Sequence, residues 1–178
     1  VPPVPGLAEA GCLTSDDMLD SPEIPGSLII LGGGPVALEL ASYCRAFGCR
    51  VILIQRSSHI LSGIDADVAG ALETGLRQDG IEIHTGTRLL RVEKNPSSCR
   101  VIFEKDGCEV VVEADHILNA LGRTPQLAGL ENLGLQIRGG RIDADAGQRT
   151  SVPNIFAAGD VCGPSEVVHI AIQQGEVA

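Results

Sequence analysis

Between residues 28 and 47 an apolar tetrapeptide runs into a glycine-rich turn and then into an amphipathic helix, and this junction constrains the fold more than any other part of the chain. Leu28–Ile29–Ile30–Leu31 is short, continuous and apolar, as expected of a strand buried on both faces of a parallel sheet. Gly32, Gly34 and Ala37 then spell G-x-G-x-x-A. Gly32 permits the tight turn, Gly34 lets the backbone approach a pyrophosphate with no β-carbon in the way, and Ala37 is small enough for the helix to pack closely on the strand. Gly33 and Val36 complete the turn. Pro35 suits the first helical turn, where its missing N–H costs nothing. The free N–H groups and the helix dipole then point at an anion.

The context strengthens a motif that is weak alone. Ala37, Leu40, Ala41, Cys44 and Phe47 follow helical spacing on one face, and Gly48 stops the helix. Val51–Ile52–Leu53–Ile54 reads as a second buried strand. Asp65 can cap a further helix running to about Asp79, with Val68, Ala69, Leu72 and Leu76 on one face and Gly80 as its stop. A third strand spans residues 81–85. The stretches 88–93, 100–105 and 109–113 alternate and are joined by turn signals such as Asp106–Gly107, so an antiparallel meander replaces the usual crossover helix. Residues 116–120 return as a strand. The fold class is α/β: a Rossmann-like dinucleotide-binding domain with a parallel sheet and a β-meander crossover. Short strands are expected at residues 135–137, 141–143 and 154–158, with Asp160 just after the last, and another helix near the end. Residues 1–22, rich in Pro and acidic side chains, show no period and read as a connecting arm.

Composition bounds the partners. A net charge of −10 argues against nucleic acid or an anionic membrane surface. No apolar run approaches a membrane span and no signal-peptide pattern is visible, so a cytoplasmic location is the expectation. The cysteines, Cys12, Cys44, Cys49, Cys99, Cys108 and Cys162, lack paired metal-ligand spacing and are read as free thiols, with no metal site. Cys44 and Cys49 form C-x4-C, a spacing some flavoenzymes use for a redox disulfide, but both sit where packing residues belong.

Two further segments fit one pattern. Leu121–Gly122–Arg123–Thr124–Pro125 and the run from Thr150 to Asp160 resemble the A-x-G-R-x-P and T-x(5)-[FY]-A-x-G-D motifs of the FAD-dependent pyridine nucleotide-disulfide oxidoreductases, which include dihydrolipoamide dehydrogenase, glutathione reductase and mercuric reductase. Pro5–Gly6–Leu7 and His169–Ile170–Ala171 are similar to further family segments, the latter to a flavin-side H-x-A. The resemblance implies a hydride path from a nicotinamide cofactor to FAD and on to a disulfide or metal substrate. It implies that Gly159 and Asp160, with His169 and Ala171, serve the flavin, Asp160 taking ribityl hydroxyls, unless it is merely a helix N-cap. Glu39 would face the flavin edge and pair with a lysine absent here, unless it is a solvated helix carboxylate. Leu89, Ala120 and Gly122 complete the expected cofactor-binding set.

The family's N-terminal FAD-binding turn, its G-G-x-C redox cysteines and its C-terminal interface domain with a His–Glu pair are not in this sequence. The expectation is therefore a fragment: residues 1–22 a connecting arm, residues 23–122 the NAD(P)-binding domain and residues 123–178 a truncated segment of the FAD domain. It would be a monomer without FAD and inactive alone, its partners being a nicotinamide dinucleotide and the remaining FAD and interface domains of a homodimeric parent. At the end of the second strand, where an NAD site presents Asp or Glu to the ribose 2′-OH, this chain has Gln55–Arg56–Ser57. Arg56 can meet a 2′-phosphate through a charge-assisted bond, which favours NADP over NAD. Gln55 can still bond a 2′-OH, Arg56 can be a plain solvated charge, and the help of Arg88 and Arg91 stays open. A non-catalytic nucleotide-sensing module is the alternative function. A self-sufficient dehydrogenase lacks a convincing dyad among His59, His84, His116 and His169.

Overall fold

A computed structural model describes residues 3–178. The chain divides into two units, residues 1–122 and 123–178. In the first, β1 (Ser27–Leu31), α2 (Pro35–Ala46), β2 (Arg50–Ile54), α3 (Ala66–Gln78) and β3 (Glu82–His84) alternate, after a short α1 (Ser15–Asp20). The meander β4 (Arg88–Lys94), β5 (Cys99–Lys105) and β6 (Cys108–Ala114) follows, and β7 (His116–Asn119) returns to the sheet. The parallel sheet has the order β3-β2-β1-β7 and the meander forms its own antiparallel sheet, β4-β5-β6.

The period of two in these apolar strands sorts their side chains onto two faces. Leu28, Ile30, Val51, Leu53 and Leu118 point into one buried cluster with Ala37, Leu40, Ala41 and Cys44 of α2 and Ala69 and Leu76 of α3. Ile29, Leu31, Ile52, Ile54 and Ile117 point into the other, with Val92, Val101, Phe103 and Val112 of the meander. The meander thus covers the face that a crossover helix otherwise covers. Its β5–β6 turn is Asp106–Gly107, both at positive φ, the geometry a two-residue hairpin needs.

Several expectations are corrected. Residues 3–22, which show no period in the sequence, carry structure of their own: Leu7, Ala10 and Met18 are buried, and Leu13 extends the sheet beyond β7, donating to Ile117 O and accepting from Asn119 N at 2.8 Å each. The signal was a Thr14-x-x-Asp17 capping box, in which Thr14 Oγ1 accepts from Asp17 N and Asp17 Oδ2 accepts from Thr14 N. Phe47 is 66% exposed because it caps α2, where the backbone leaves the helix; Leu38 is buried instead. Asp65 occupies the N-cap of α3 without a side-chain capping bond, and Val68 and Leu72 stay exposed, leaving Ala69 and Leu76 as the seam.

In the second unit, β8 (Ile137–Arg138) and β9 (Arg141–Ile142) pair around Gly139 and Gly140, both at positive φ. Residues 154–158 are not a strand. Asn154 has φ +65 and Ile155 N donates to Val152 O at 3.2 Å, so Val152–Pro153–Asn154–Ile155 is a β-turn with proline second and a left-handed residue third. Only Phe156 bridges back, to Arg149. A 3-10 turn at Gly159–Val161 leads to α4 (Val168–Val177), none of whose residues is buried.

Candidate functional site

The C-terminal ends of the parallel strands open onto a cleft of about 500 Å³. In an open α/β sheet this is where ligands bind, because the chain diverges there between successive elements. Its floor is the turn after β1. Gly32 has φ +118, and a β-carbon on it would lie 2.3 Å from the carbonyl oxygen of Ala120, so only glycine lets the ends of β1 and β7 close together. Gly33 lies against the Gln55 side chain, 3.1 Å from where its own β-carbon would be. Gly34 caps α2 and its β-carbon position meets nothing within 4 Å. Pro35 is the first helical residue and no carboxylate lies in the first turn of α2, so the positive end of the helix is uncompensated.

One wall carries the charge. Gln55 N donates to His84 O, which prolongs the β2–β3 ladder by one residue. Gly86 N then donates to Ser57 O at 2.8 Å, and Gln55 O accepts from both Thr87 N (3.2 Å) and Thr87 Oγ1 (3.0 Å). Thr87 is buried, which fixes the start of β4 beside Gln55–Arg56–Ser57. Arg56, Ser57, Ser62, Arg88 and Leu89 line the cleft there, and Ala120, Leu121 and Gly122 line its other side. In a chain of net charge −10, the described residues lining this cleft include two arginines and no carboxylate. Arg56 has no ion pair among the described residues, whereas Arg88 pairs with Glu104 at 2.5 Å. Arg91 lies outside the cleft, paired with Glu93 and Glu109. Backbone donors at one end and guanidinium groups at the other suit an elongated, multiply anionic ligand.

The second unit gathers its own set around one turn. Gly159 has φ +79 and is buried, and a β-carbon there would stand 3.4 Å from the Ala171 methyl. The Gln174 amide spans the turn: Oε1 accepts from Gly159 N at 2.7 Å and Nε2 donates to Gly163 O at 3.2 Å. Arg141 donates to Asp160 O at 2.7 Å and pairs with Glu166. The Asp160 carboxylate is left exposed on this braced turn, and His169 is exposed on α4.

The structure thus brings Gly32, Gly33, Gly34, Gln55, Arg56, Ser57, Leu89, Ala120 and Gly122 into one cleft. Ala37 is buried under the helix, and Glu39 is exposed on α2; neither they nor Pro35 and Val36 line the cleft. Asp160 follows a turn rather than a buried strand. Ser62 and Thr87 escaped the sequence reading. Thr87 was discoverable, since it comes just past the C-terminal end of a parallel strand. Cys44 and Cys49 are free and buried. Burial, and secondarily Cys44 and Asp115, push the Cys49 thiol up to about 11, far from a reactive thiolate. Among the described residues no cluster of three or more His, Cys, Asp or Glu offers a metal site, and no helix is long and apolar enough to cross a membrane.

Comparison with known proteins converges on one family. A family model described as pyridine nucleotide-disulphide oxidoreductase matches residues 1–175. A dihydrolipoyl dehydrogenase of Acholeplasma laidlawii is 35% identical over 100% of this chain and 53% of its own length. A mercuric reductase of Staphylococcus aureus is 33% identical over 99% of this chain and 33% of its own. Among solved structures, the Cu(II) complex of the HOCl-induced flavoprotein disulfide reductase RclA from Escherichia coli superposes with a TM-score of 0.88 at 31% identity, covering 100% of this chain and 41% of that one. The chain therefore spans between a third and about half of the curated relatives it matches.

Proposed function

The chain belongs to the pyridine nucleotide-disulphide oxidoreductase family, and we propose that its first unit binds the nicotinamide dinucleotide of an FAD-dependent disulfide oxidoreductase, NADPH in preference to NADH. The observation that carries this reading is the cleft itself: a glycine floor at a helix N-terminus, with arginines and no carboxylate among its described lining residues. In this reading the turn from Gly32 through Ala37 holds the pyrophosphate and Ala120 and Gly122 border it. Leu89 offers apolar surface to the adenine, and Gln55, Arg56 and Ser57 receive the adenosine ribose with its 2′-phosphate. The contribution to catalysis is orientation of the nicotinamide rather than acid–base chemistry.

FAD, when bound, supplies a ring that accepts a hydride from the nicotinamide and passes the electron pair to the final acceptor. The residues present fit such a group. An exposed carboxylate at Asp160, on a turn braced by Gln174 and Arg141, is a ready acceptor for ribityl hydroxyls, at about 1.5–3 kcal/mol for a hydrogen bond to a charged group. Within the same unit, His169 and Ala171 of α4 would help to hold the group. The parent enzyme is a cytoplasmic homodimer in this reading, and the 178-residue chain is a monomer that takes up no FAD and does not turn over alone.

Calorimetric titration of the chain with NADPH and NADH tests the assignment. At least tenfold tighter NADPH binding is expected, equivalent to about 1.4 kcal/mol, with the advantage lost in Arg56→Ala. Equal or tighter NADH binding would overturn the preference, and no binding of either would overturn the nucleotide reading.

A further inference from the structure

Arg88 lines the same cleft as Arg56, yet its guanidinium is turned to a carboxylate of the meander. Three hydrogen bonds explain its position. Gly86 N to Ser57 O, and Thr87 N and Oγ1 to Gln55 O, zip the start of β4 to the end of β2, so the next side chain along β4 stands at the rim held by Arg56. Arg88 and Arg91 have different fates because of a bulge. The β4–β5 register pairs Arg88 with Glu104 and Leu89 with Phe103, then skips Leu90 and resumes with Arg91 opposite Ile102. An extra residue of this kind re-aims the side chains on either side of it. Arg91 is held by Glu93 and Glu109 beyond the cleft, and Arg88 remains at its mouth.

The partner of Arg88 is a weak one. Arg88 and Glu104 are 69% and 39% exposed, and ion pairs so open to water are screened and easily exchanged. A phosphate monoester carries close to two negative charges at neutral pH and three acceptor oxygens, and so competes for a guanidinium better than one carboxylate does.

We propose that Arg88 is a second, releasable cation for the 2′-phosphate of the dinucleotide, with Glu104 as the internal ligand that this phosphate displaces. Arg56 is the standing charge of the site and Arg88 the one that swings. The inference rests on the nucleotide reading above and adds to it a determinant of cofactor choice outside the end of β2. Both side chains lie on the surface, so their substitution leaves the fold intact.

The test is titration of the full chain, as wild type, Arg88→Gln and Glu104→Gln, with NADPH and with NADH under one salt condition. Arg88→Gln is expected to weaken NADPH about fivefold while NADH stays within about twofold, the size of one exposed charge-assisted contact. Glu104→Gln is expected to tighten NADPH by about threefold and leave NADH unchanged, because an internal competitor has been removed. NADPH affinity indifferent to Arg88, or weakened no more than NADH, would overturn the inference while leaving the nucleotide reading intact. Tightening of both nucleotides alike by Glu104→Gln would also overturn it, since that is a general field effect. A wild-type chain that binds neither nucleotide would overturn both.

Discussion

The two units hold their turns in place by different physics. Around the glycine floor of the first unit, position is set by packing and by backbone: two apolar clusters grip the parallel sheet from both faces, and the floor itself is a contact between Gly32 and the Ala120 carbonyl. The Gly159–Val161 turn of the second unit has almost no core beneath it. Ile142 and Ala157 are the buried apolar residues described there, and Gln148 is buried as a polar group. What braces this turn is the Gln174 amide and the Arg141 guanidinium. The first turn should thus be sensitive to added volume and indifferent to loss of a surface hydrogen bond, whereas the second should loosen when a side-chain hydrogen bond is lost.

The largest effect is expected from Gly32→Ala. Its β-carbon meets backbone that cannot swing away, at a φ that L-residues rarely adopt, and the cost should be about 3 kcal/mol or more in urea unfolding. Gly34→Ala, with open space around it, should stay within about 1 kcal/mol of wild type in stability yet weaken NADPH binding, since the proposed reading gives that space to the pyrophosphate. A Gly34→Ala chain that binds normally would break the contrast between a glycine needed for folding and one needed for approach.

A middle-sized effect belongs to the second unit. Gln174→Leu removes the acceptor for Gly159 N–H and the donor to Gly163 O, a loss of about 1–3 kcal/mol for a partly buried amide left unpaired. Amide exchange followed by mass spectrometry should speed up across residues 157–175 and remain unchanged in β1, β2 and α2. Unchanged exchange at Gly159 would show that packing, not the side-chain brace, holds the turn.

A further effect comes from pH and is confined to alkaline solution. Burial raises the Cys49 thiol from 9.0 to about 11 in the folded chain. A group that holds its proton more tightly when folded stabilises fully below its unfolded value and loses that contribution as pH rises towards its folded value. Stability of the first unit should therefore fall between about pH 9 and 11, and the slope should be shallower in Cys49→Ala. Equal slopes in both chains would mean that Cys49 does not titrate differently on folding.

The same division explains what the sequence revealed. Leu28–Ile29–Ile30–Leu31 and Val51–Ile52–Leu53–Ile54 were legible as strands because a short continuous apolar run leaves few alternatives, and the meander because Asp106–Gly107 marks its hairpin. Residues 154–158 misled, because Ile155–Phe156 carries strand propensity while Pro153–Asn154 dictates a turn that absorbs it. The helix at Ser15–Asp20 hid in an acidic, proline-flanked stretch whose one decisive signal was a capping pair. At the cleft, residues contiguous with the glycine turn and with β2 were visible. Thr87 could be found only from its place just past β3, and the separation of Arg88 from Arg91 not at all, since a bulge has no local periodicity to betray it.

The backbone zipper that joins Gly86 and Thr87 to Gln55 and Ser57 has a further consequence. The frame of the rim is written in main-chain amides and one threonine hydroxyl, and none of its bonds depends on what the side chains at positions 56 and 88 happen to be. Chemical identity at the rim is therefore uncoupled from its shape. A lineage, or an engineer, can rewrite the charge at this rim through two surface codons without renegotiating the fold, so under the proposed nucleotide reading cofactor preference is a setting that drifts easily rather than an inheritance fixed with the scaffold.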